Sequence, residues 1–243
     1  MAALAPLLST RGLSRSFGGL KAVQDVDFDV ASGEIRAVIG PNGAGKTTFV
    51  SLVSGRIEPS AGRILFDGAD ITAMPAHRRV AAGIAYTFQI TSIYRTLTVA
   101  ENVALAAQRQ VKGEAALHRS VAEALERVGL AGRRADIAGN LAYGHQRLLE
   151  VAMGLALRPR LLILDEPTQG LSDAEIDGFV AFVRDIARDA TVMLIEHNMA
   201  VVMALANRIT VMDRGRIIAE GAPDAIRADA KVQAAYLGAP ADG

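Results

Sequence analysis

The sequence predicts an α/β fold with a mixed sheet core, an antiparallel β subdomain and a helical lobe. Apolar and polar residues alternate over residues 23–30, as in antiparallel strands that have one solvent-exposed face. The mostly apolar runs at 35–39, 161–164 and 191–195 are instead typical of strands buried inside a parallel sheet. Between residues 92 and 158, apolar residues recur at helical spacing, which predicts the lobe.

Length and composition limit the function classes. With 243 residues, of which 51% are hydrophobic, the chain can bury a globular core. Lysine plus arginine and aspartate plus glutamate both number 26, so no basic excess favours nucleic acid as a partner. No apolar run reaches the roughly 18 residues of a membrane helix and no secretion signal is recognised, so we expect a cytoplasmic protein. The absence of cysteine excludes disulfides and thiolate metal sites.

The first elements of the chain are predicted to be antiparallel strands. Leu7–Ser14 and Val23–Val30 fit strands with one solvent-exposed face. Ile64–Phe66 leads into Asp67–Gly68, a pair typical of a tight turn or hairpin. This part of the chain therefore combines antiparallel strands with the segment that follows the run at 35–39.

That segment, residues 40–48, matches the phosphate-binding pattern G-x-x-x-x-G-K-[ST] without a gap. An apolar strand precedes it and a helix start follows it, so a helix N-terminus faces the phosphates. Lys46 is expected to reach the β- and γ-phosphates, and the Thr47 hydroxyl to bind Mg²⁺. The alternative is a glycine turn with a chance lysine. The residues expected to bind a nucleoside triphosphate are Gly40, Pro41, Asn42, Gly43, Ala44, Gly45, Lys46, Thr47 and Thr48.

The middle and later parts of the chain are predicted to be helical and then α/β. Thr98–Glu101 has the form of a capping box, and apolar residues from Leu117 to Val128 recur at helical spacing. Ser172–Glu175 is a second capping box, and it starts a helix between the buried strands at 161–164 and 191–195. This order of strand, helix and strand predicts a βαβ crossover.

Acidic and basic side chains follow both buried strands. Asp165 fits a Mg²⁺ partner held through water, and Glu166 fits the general base that polarises an attacking water. The alternative for this pair is a simple helix start. His197 follows the next strand, where its imidazole could donate a hydrogen bond to the γ-phosphate. Taken alone, a single histidine in such a place is more often structural.

Two further segments have polar residues at informative places. Leu141–Arg147 puts a glycine and polar residues at a helix N-terminus, which predicts a second anion-binding end that a monomer would not use. Gln89 lies where the β-rich part gives way to the helical lobe, and its amide could bind Mg²⁺ and relay that binding to the lobe. The alternative for Gln89 is an ordinary linker residue.

In this order, the motifs resemble those of the ATPase subunits of ABC transporters over essentially the whole chain. The resemblance makes Gln89 the Q-loop residue, Asp165 and Glu166 the Walker B pair and His197 the switch histidine. It also implies ATP and Mg²⁺ as cofactors, and two ATPase subunits that enclose two ATP molecules. Phe17 takes the place of the aromatic that stacks on adenine, with a buried strand phenylalanine as the alternative. The signature residues that face the partner's nucleotide are Ala142, Tyr143, Gly144 and His145.

A finer resemblance is to the Liv-type ATPases of branched-chain amino acid importers. Four short strings carry it: Phe17–Leu20, Thr87–Gln89, Leu141–Gly144 and Ala235–Gly238. It implies an ATP-hydrolysing importer subunit that is peripheral on the inner face of the cell membrane. The implied partners are permease transmembrane subunits, a second ATPase and, indirectly, a substrate-binding protein. Leucine-like amino acids, amides, urea and aromatic acids all stay open as cargo.

The resemblance also sets a domain plan and shows departures. We expect one ABC ATPase domain over 1–243, with a nucleotide-binding core at 1–91 and 159–243 and a helical signature lobe at 92–158. The usual signature L-S-G-G-Q is altered by Ala142, Tyr143 and His145, and Ser172 replaces the usual D-loop aspartate. These changes favour a heterodimer and leave a homodimer open. The alternative function is a soluble ABC ATPase in DNA repair or translation, which the short lobe and single cassette disfavour.

Overall fold

The computed structural model describes residues 5–87, 92–108 and 110–237. The chain divides into two compact units, and we describe each by itself. The first unit comprises Met1–Arg79 and Thr191–Gly243, and the second comprises Val80–Ala190. The predicted lobe boundaries at 92 and 158 stay a prediction.

The described residues form strands and helices that are interspersed along the chain. The strands are β1 (Leu8–Phe17), β2 (Leu20–Val30), β3 (Ile35–Ile39), β4 (Ala61–Phe66), β5 (Ala69–Asp70), β6 (Ile84–Tyr86), β7 (Leu161–Asp165), β8 (Thr191–Ile195), β9 (Arg208–Asp213) and β10 (Arg216–Gly221). The helices are α1 (Lys46–Val53), α2 (Ala76–Ala82), α3 (Val99–Ala107), α4 (Glu114–Arg127), α5 (Tyr143–Ala156), α6 (Asp173–Ile186), α7 (Met199–Leu205), α8 (Pro223–Ala228) and α9 (Ala230–Leu237). None of the helices in the described ranges combines the length and apolar character needed to cross a membrane.

The first unit contains the predicted antiparallel sheet, with strand order β2-β1-β4-β5. β1 pairs with β2 from Leu8 opposite Val30 to Phe17 opposite Leu20. After β4, Asp67 and Gly68 both have positive φ angles, of 52° and 77°, as a tight hairpin turn requires. The antiparallel prediction for this part of the chain is therefore confirmed.

The first unit also holds a mixed set of strands in which β10, β9, β3 and β8 are neighbours. β3 is parallel to β8 and to β9, whereas β9 and β10 form an antiparallel hairpin. All five residues of β3 are buried, which explains its near-continuous apolar sequence. Val38 is level with Ile195 of β8, so β3 and β8 end side by side. The segments that follow the two strands, at Gly40 and Glu196, therefore start at the same sheet edge.

The second unit pairs β6 with β7 in parallel, with Tyr86 level with Ile163. Helices α3 to α6 belong to the same unit, and α3 packs against both α4 and α5. Both predicted capping boxes are present, at Thr98 with Glu101 and at Ser172 with Glu175. Local sequence rules therefore set where α3 and α6 begin.

Candidate nucleotide-binding site

The phosphate loop, residues 40–48, lies between β3 and α1 and is held against neighbouring backbone. A Cβ on Gly40 would lie 2.2 Å from the carbonyl oxygen of Met212, and one on Gly45 would lie 2.3 Å from that of Ala22. Gly45 also has a φ of 98°. Glycine is thus required by the contacts of the loop with β9 and β2, in addition to any contact with phosphate.

The start of α1 has the properties of an anion site. Gly45 is the N-cap and has no side chain that could accept hydrogen bonds from the first backbone N–H groups of α1. These groups can therefore donate to a bound anion. Lys46 Nζ donates hydrogen bonds to the carbonyl oxygens of Gly40, at 2.6 Å, and Pro41, at 3.1 Å. The ammonium group is thus folded over the loop. This cradle fits the phosphates of a nucleotide.

Glu196 and His197 follow β8 at the same sheet edge. The buried Glu196 carboxylate accepts hydrogen bonds from the backbone N–H groups of His197, at 2.7 Å, and Asn198, at 3.2 Å. The His197 side chain is 62% exposed, with Nδ1 3.5 Å from Glu196 Oε2. Asn198 in turn caps α7. Glu196 therefore fixes the backbone that presents His197, a role that we did not predict from the sequence.

Phe17 ends β1 in the first unit and is 45% exposed. The Arg15 guanidinium carbon lies 4.7 Å from the centroid of its ring. The alternative interpretation of Phe17 as a buried strand residue is therefore wrong. An exposed ring of this kind is available for stacking.

Asp165 is the last residue of β7 and is 1% exposed. The Tyr86 hydroxyl, from the neighbouring strand β6, donates a hydrogen bond to Asp165 Oδ2 at 2.8 Å. Glu166 follows with a φ of 49°, in the left-handed region that residues other than glycine rarely adopt. Such conformations persist where the surroundings impose them, and they are common at functional sites. The Tyr86 contact could not be predicted from the sequence, because the two partners lie 79 positions apart.

The predicted signature segment, residues 141–145, leads into α5 in the second unit. Ala142 is the N-cap and makes no side-chain capping bond, and Tyr143 is 45% exposed. A Cβ on Gly144 would lie 2.7 Å from Leu171 Cδ2, and one on Gly170 would lie 2.8 Å from the Tyr143 ring. The signature segment therefore packs against the residues just before α6.

His145 of the signature segment interacts electrostatically with Glu175 in the first turn of α6. The Glu175 carboxylate accepts hydrogen bonds from the backbone N–H of Ser172 and from the Ser172 hydroxyl. The bond from the backbone lowers the pKa of Glu175 most, the bond from the hydroxyl lowers it next, and the charge of His145 lowers it further. Ser172, which departs from the usual D-loop aspartate, thus has a clear local role as the cap of α6. Capping by serine is as effective as capping by aspartate.

A buried ion pair lies one turn further along α5. Arg147 Nη1 is 3.0 Å from Glu150 Oε2, and both side chains are buried. Gln146 Nε2 donates to the Leu141 carbonyl oxygen at 2.8 Å, which ties the start of α5 to the preceding chain. Charged residues at i and i+3 were the only sequence signal for the pair.

Metal binding was predicted for Thr47, Asp165 and Gln89. Thr47 is exposed at the start of α1, Asp165 is buried at the end of β7, and Gln89 lies outside the described residues. Within the described ranges, no group of three or more His, Asp or Glu side chains could hold a metal ion. Each of these side chains offers an oxygen of the kind that Mg²⁺ prefers, and Mg²⁺ is usually bound by one or two protein ligands together with phosphate oxygens and water.

Two family models match the chain. The model described as ABC transporter covers residues 23–169, and that described as branched-chain amino acid ATP-binding cassette transporter covers residues 216–242. The chain is 38% identical over 250 residues to the high-affinity branched-chain amino acid transport ATP-binding protein BraF of Pseudomonas aeruginosa, covering 96% of this chain and 98% of that protein. It is also 38% identical over 251 residues to LivG of Escherichia coli K12, which carries the same description, with the same coverage of 96% and 98%.

Solved structures agree with the fold. An ATP-binding cassette of an ABC transporter, crystallised in its ADP conformation, superposes with a TM-score of 0.88 at 27% identity over 97% of this chain and 100% of that one. A nucleotide-free ATP-binding cassette gives a TM-score of 0.87 at 27% identity, covering 96% and 100%. The predicted fold class is therefore confirmed.

Proposed function

Because this chain belongs to the ABC transporter family of ATP-binding proteins and is an ATPase, we propose that it powers an importer of branched-chain amino acids. The observation that carries the cargo class is the match of residues 216–242 to the branched-chain amino acid cassette model. The near-full-length identity to two branched-chain amino acid transport ATP-binding proteins supports the same class.

We propose the following roles in the first unit. The phosphate loop binds the ATP phosphates, with Lys46 exchanging its bonds to Gly40 and Pro41 for phosphate oxygens. Phe17 stacks on adenine, which its exposure permits. His197 hydrogen-bonds the γ-phosphate from a backbone fixed by Glu196. Magnesium supplies charge neutralisation when bound, and Thr47 provides a hydroxyl ligand.

In the second unit, Asp165 and Gln89 serve the Mg²⁺ ion and Glu166 is the general base for water. Ala142, Tyr143, Gly144 and His145 face the nucleotide of a partner ATPase. Ala142 lacks the hydroxyl of the usual signature serine, so this face gives one hydrogen bond fewer to an anion, worth roughly 1.5–3 kcal/mol. We propose for this reason a heterodimer with a second, different ATPase. Permease subunits would hold the pair at the inner face of the membrane, and a substrate-binding protein would deliver cargo.

Single-turnover hydrolysis by the reconstituted pair tests the base. With the partner's own general base removed, Glu166→Gln should bind ATP normally and lose turnover by about 10²–10⁴-fold, the usual contribution of a general base. Lys46→Ala should instead lose ATP affinity, which separates binding from chemistry. Near-normal hydrolysis by Glu166→Gln in this background would place the base elsewhere.

The cargo and the pairing are tested together in membrane vesicles that contain the permeases. Labelled leucine should accumulate with ATP, and an excess of unlabelled valine or isoleucine should compete while urea and amides should not. Omission of the second ATPase should abolish uptake. Full uptake without that ATPase would contradict the heterodimer, and competition by urea alone would contradict the cargo class.

A further inference from the structure

An open cavity of about 460 Å³ lies in the first unit, beside β3, α7, α8 and α9, and it is separate from the phosphate loop. Its inner lining includes Ile39, Ile226 and Val232, which are buried members of one hydrophobic cluster. Met199 and Met203, one turn apart on α7, contribute flexible apolar side chains. The volume falls within the roughly 300–1,000 Å³ of small-molecule sites. The cavity is therefore large enough and apolar enough for a small aliphatic group.

Arg227 and Gln233 line the same cavity and are solvent-exposed. Gln233 Nε2 donates to the carbonyl oxygen of Arg227 at 3.0 Å, which ties α9 to α8 and leaves the amide oxygen as an acceptor. Within the described ranges, the Arg227 guanidinium makes no ion pair. The nearby Asp229 already accepts hydrogen bonds from the backbone of Lys231 and Val232. A guanidinium that has no ion pair among the described residues and lies beside an apolar cavity complements a ligand that has a carboxylate and an apolar tail.

We propose that this cavity binds a branched aliphatic carboxylate of the size of leucine or its 2-oxo acid, with the tail against the methionines and the carboxylate on Arg227. The site would act on ATP binding because two of its lining residues are close in sequence to residues of the proposed nucleotide site. Ile39 directly precedes Gly40 of the phosphate loop, and Met199 follows His197 by two residues. A ligand that favours an arrangement of these segments with a different ATP affinity changes that affinity, and by linkage ATP changes the ligand affinity by the same factor.

The identity of this ligand with the transported cargo, or a product made from it, rests on the proposed function. The binding itself does not, and it can be measured on the full chain without nucleotide or Mg²⁺. Thermal shift and titration calorimetry should show binding of 4-methyl-2-oxopentanoate and of L-leucine, whose α-ammonium group would donate to the Gln233 amide oxygen. Saturating ligand should raise the Tm by roughly a few degrees. Leucinamide lacks the carboxylate and acetate lacks the apolar tail, so neither compound should raise the Tm.

Matched variants locate the site. Arg227→Gln should weaken the binding of 4-methyl-2-oxopentanoate about tenfold or more, the worth of a charge-assisted hydrogen bond. Arg78→Gln, which changes an exposed arginine of α2, should leave the affinity unchanged. Ala200→Phe should fill the cavity and abolish binding while Arg227 is intact.

Three outcomes would overturn the proposal. One is equal affinity in Arg227→Gln and the unchanged protein, and another is an equal Tm shift with acetate. The third is the absence of a Tm shift with both 4-methyl-2-oxopentanoate and L-leucine. If removal of residues 238–243 also lowers the Tm as much as Met203→Ala does, the C-terminal segment is the occupant of the cavity. Because ATP hydrolysis and uptake are measured separately, each proposal can fail without the other.

Discussion

The phosphate loop of the first unit and the signature segment of the second are both glycine-containing turns that lead into a helix, yet they are held differently. Around the phosphate loop, the atoms that leave no room for a Cβ are backbone carbonyl oxygens, those of Met212 and Ala22. Around the signature segment they are side-chain atoms, of Leu171 beside Gly144 and of Tyr143 beside Gly170. A side chain can rotate away, whereas a paired backbone strand cannot.

This difference concerns the glycines that each motif retains. The two glycines of the phosphate-loop pattern meet the backbone of neighbouring strands. The signature segment departs from the usual sequence at Ala142, Tyr143 and His145, and its retained glycine, Gly144, meets a side chain. A substitution at Gly144 should therefore be easier to accommodate than one at Gly45.

The largest expected effect comes from breaking the backbone contact at Gly45. Gly45→Ala combines a φ of 98° with a Cβ 2.3 Å from the Ala22 carbonyl oxygen, so we expect a loss of more than about 3 kcal/mol in urea unfolding. The matched control is Gly43→Ala, which has a φ of 79° but no atom within 4 Å of the added Cβ. It should cost only the left-handed strain, about 1–2 kcal/mol. Equal losses would contradict the role of the carbonyl contact.

Arg79 holds the other end of the phosphate-loop helix. The buried guanidinium donates to the carbonyl oxygens of Leu52, at 2.7 Å, and Val53, at 2.8 Å, at the end of α1. It also bonds the carbonyl oxygens of Met74 and Thr72, and its burial lowers the pKa of Arg79. Arg79→Met removes the guanidinium from all four carbonyl oxygens, of which that of Leu52 keeps the backbone N–H of Gly55 as a donor, and should cost roughly 2–3 kcal/mol. Exposed Arg78→Met should change the unfolding free energy by less than about 0.5 kcal/mol. A small loss at Arg79 would show that water replaces the guanidinium.

The side-chain contact of the signature segment should cost less and should be relieved by a second change. Gly144→Ala meets Leu171 Cδ2, so we expect a net loss of about 1 kcal/mol after the helix gains from alanine. In the double variant Gly144→Ala with Leu171→Ala, the added methyl should cost nothing or stabilise. A double-mutant cycle measures this coupling. No such relief should follow Gly45→Ala with Ala22→Gly, since there the obstacle is a carbonyl oxygen.

The smallest effect is a pH dependence at the start of α6, beside the signature segment. The bonds from Ser172, with His145, lower the pKa of Glu175 in the folded chain below the usual value of about 4.3. The stability that Glu175 contributes is therefore present above that value and is lost as the pH falls through the folded pKa. Glu175→Gln should lower the Tm slightly at pH 7 and by less at pH 2.5. Glu58→Gln, which loses no hydrogen bond within the described residues, should show no such difference; a constant Tm gap for Glu175→Gln at both pH values would contradict the mechanism.

The sequence predicted those features that short-range rules control. The two capping boxes need only the spacing from Thr98 to Glu101 and from Ser172 to Glu175, and both formed as expected. The buried strands β3, β7 and β8 were readable from their apolar runs. The phosphate loop was readable because its pattern includes the strand before it and the helix after it.

Contacts between distant parts of the chain could not be predicted from the sequence. Arg79 reaches carbonyl oxygens 26 and 27 positions back, and Tyr86 reaches Asp165 across 79 positions. Phe17 has the same sequence signal whether it is buried or exposed, and only its place at the end of β1 leaves the ring in solvent. The sequence by itself determined the elements, their caps and the family, since these depend on neighbouring residues. The tertiary structure decided which carbonyl oxygens surround Gly40 and Gly45, which partner fixes Asp165 and which cavity Arg227 faces, because strand pairing brings together residues that the chain separates.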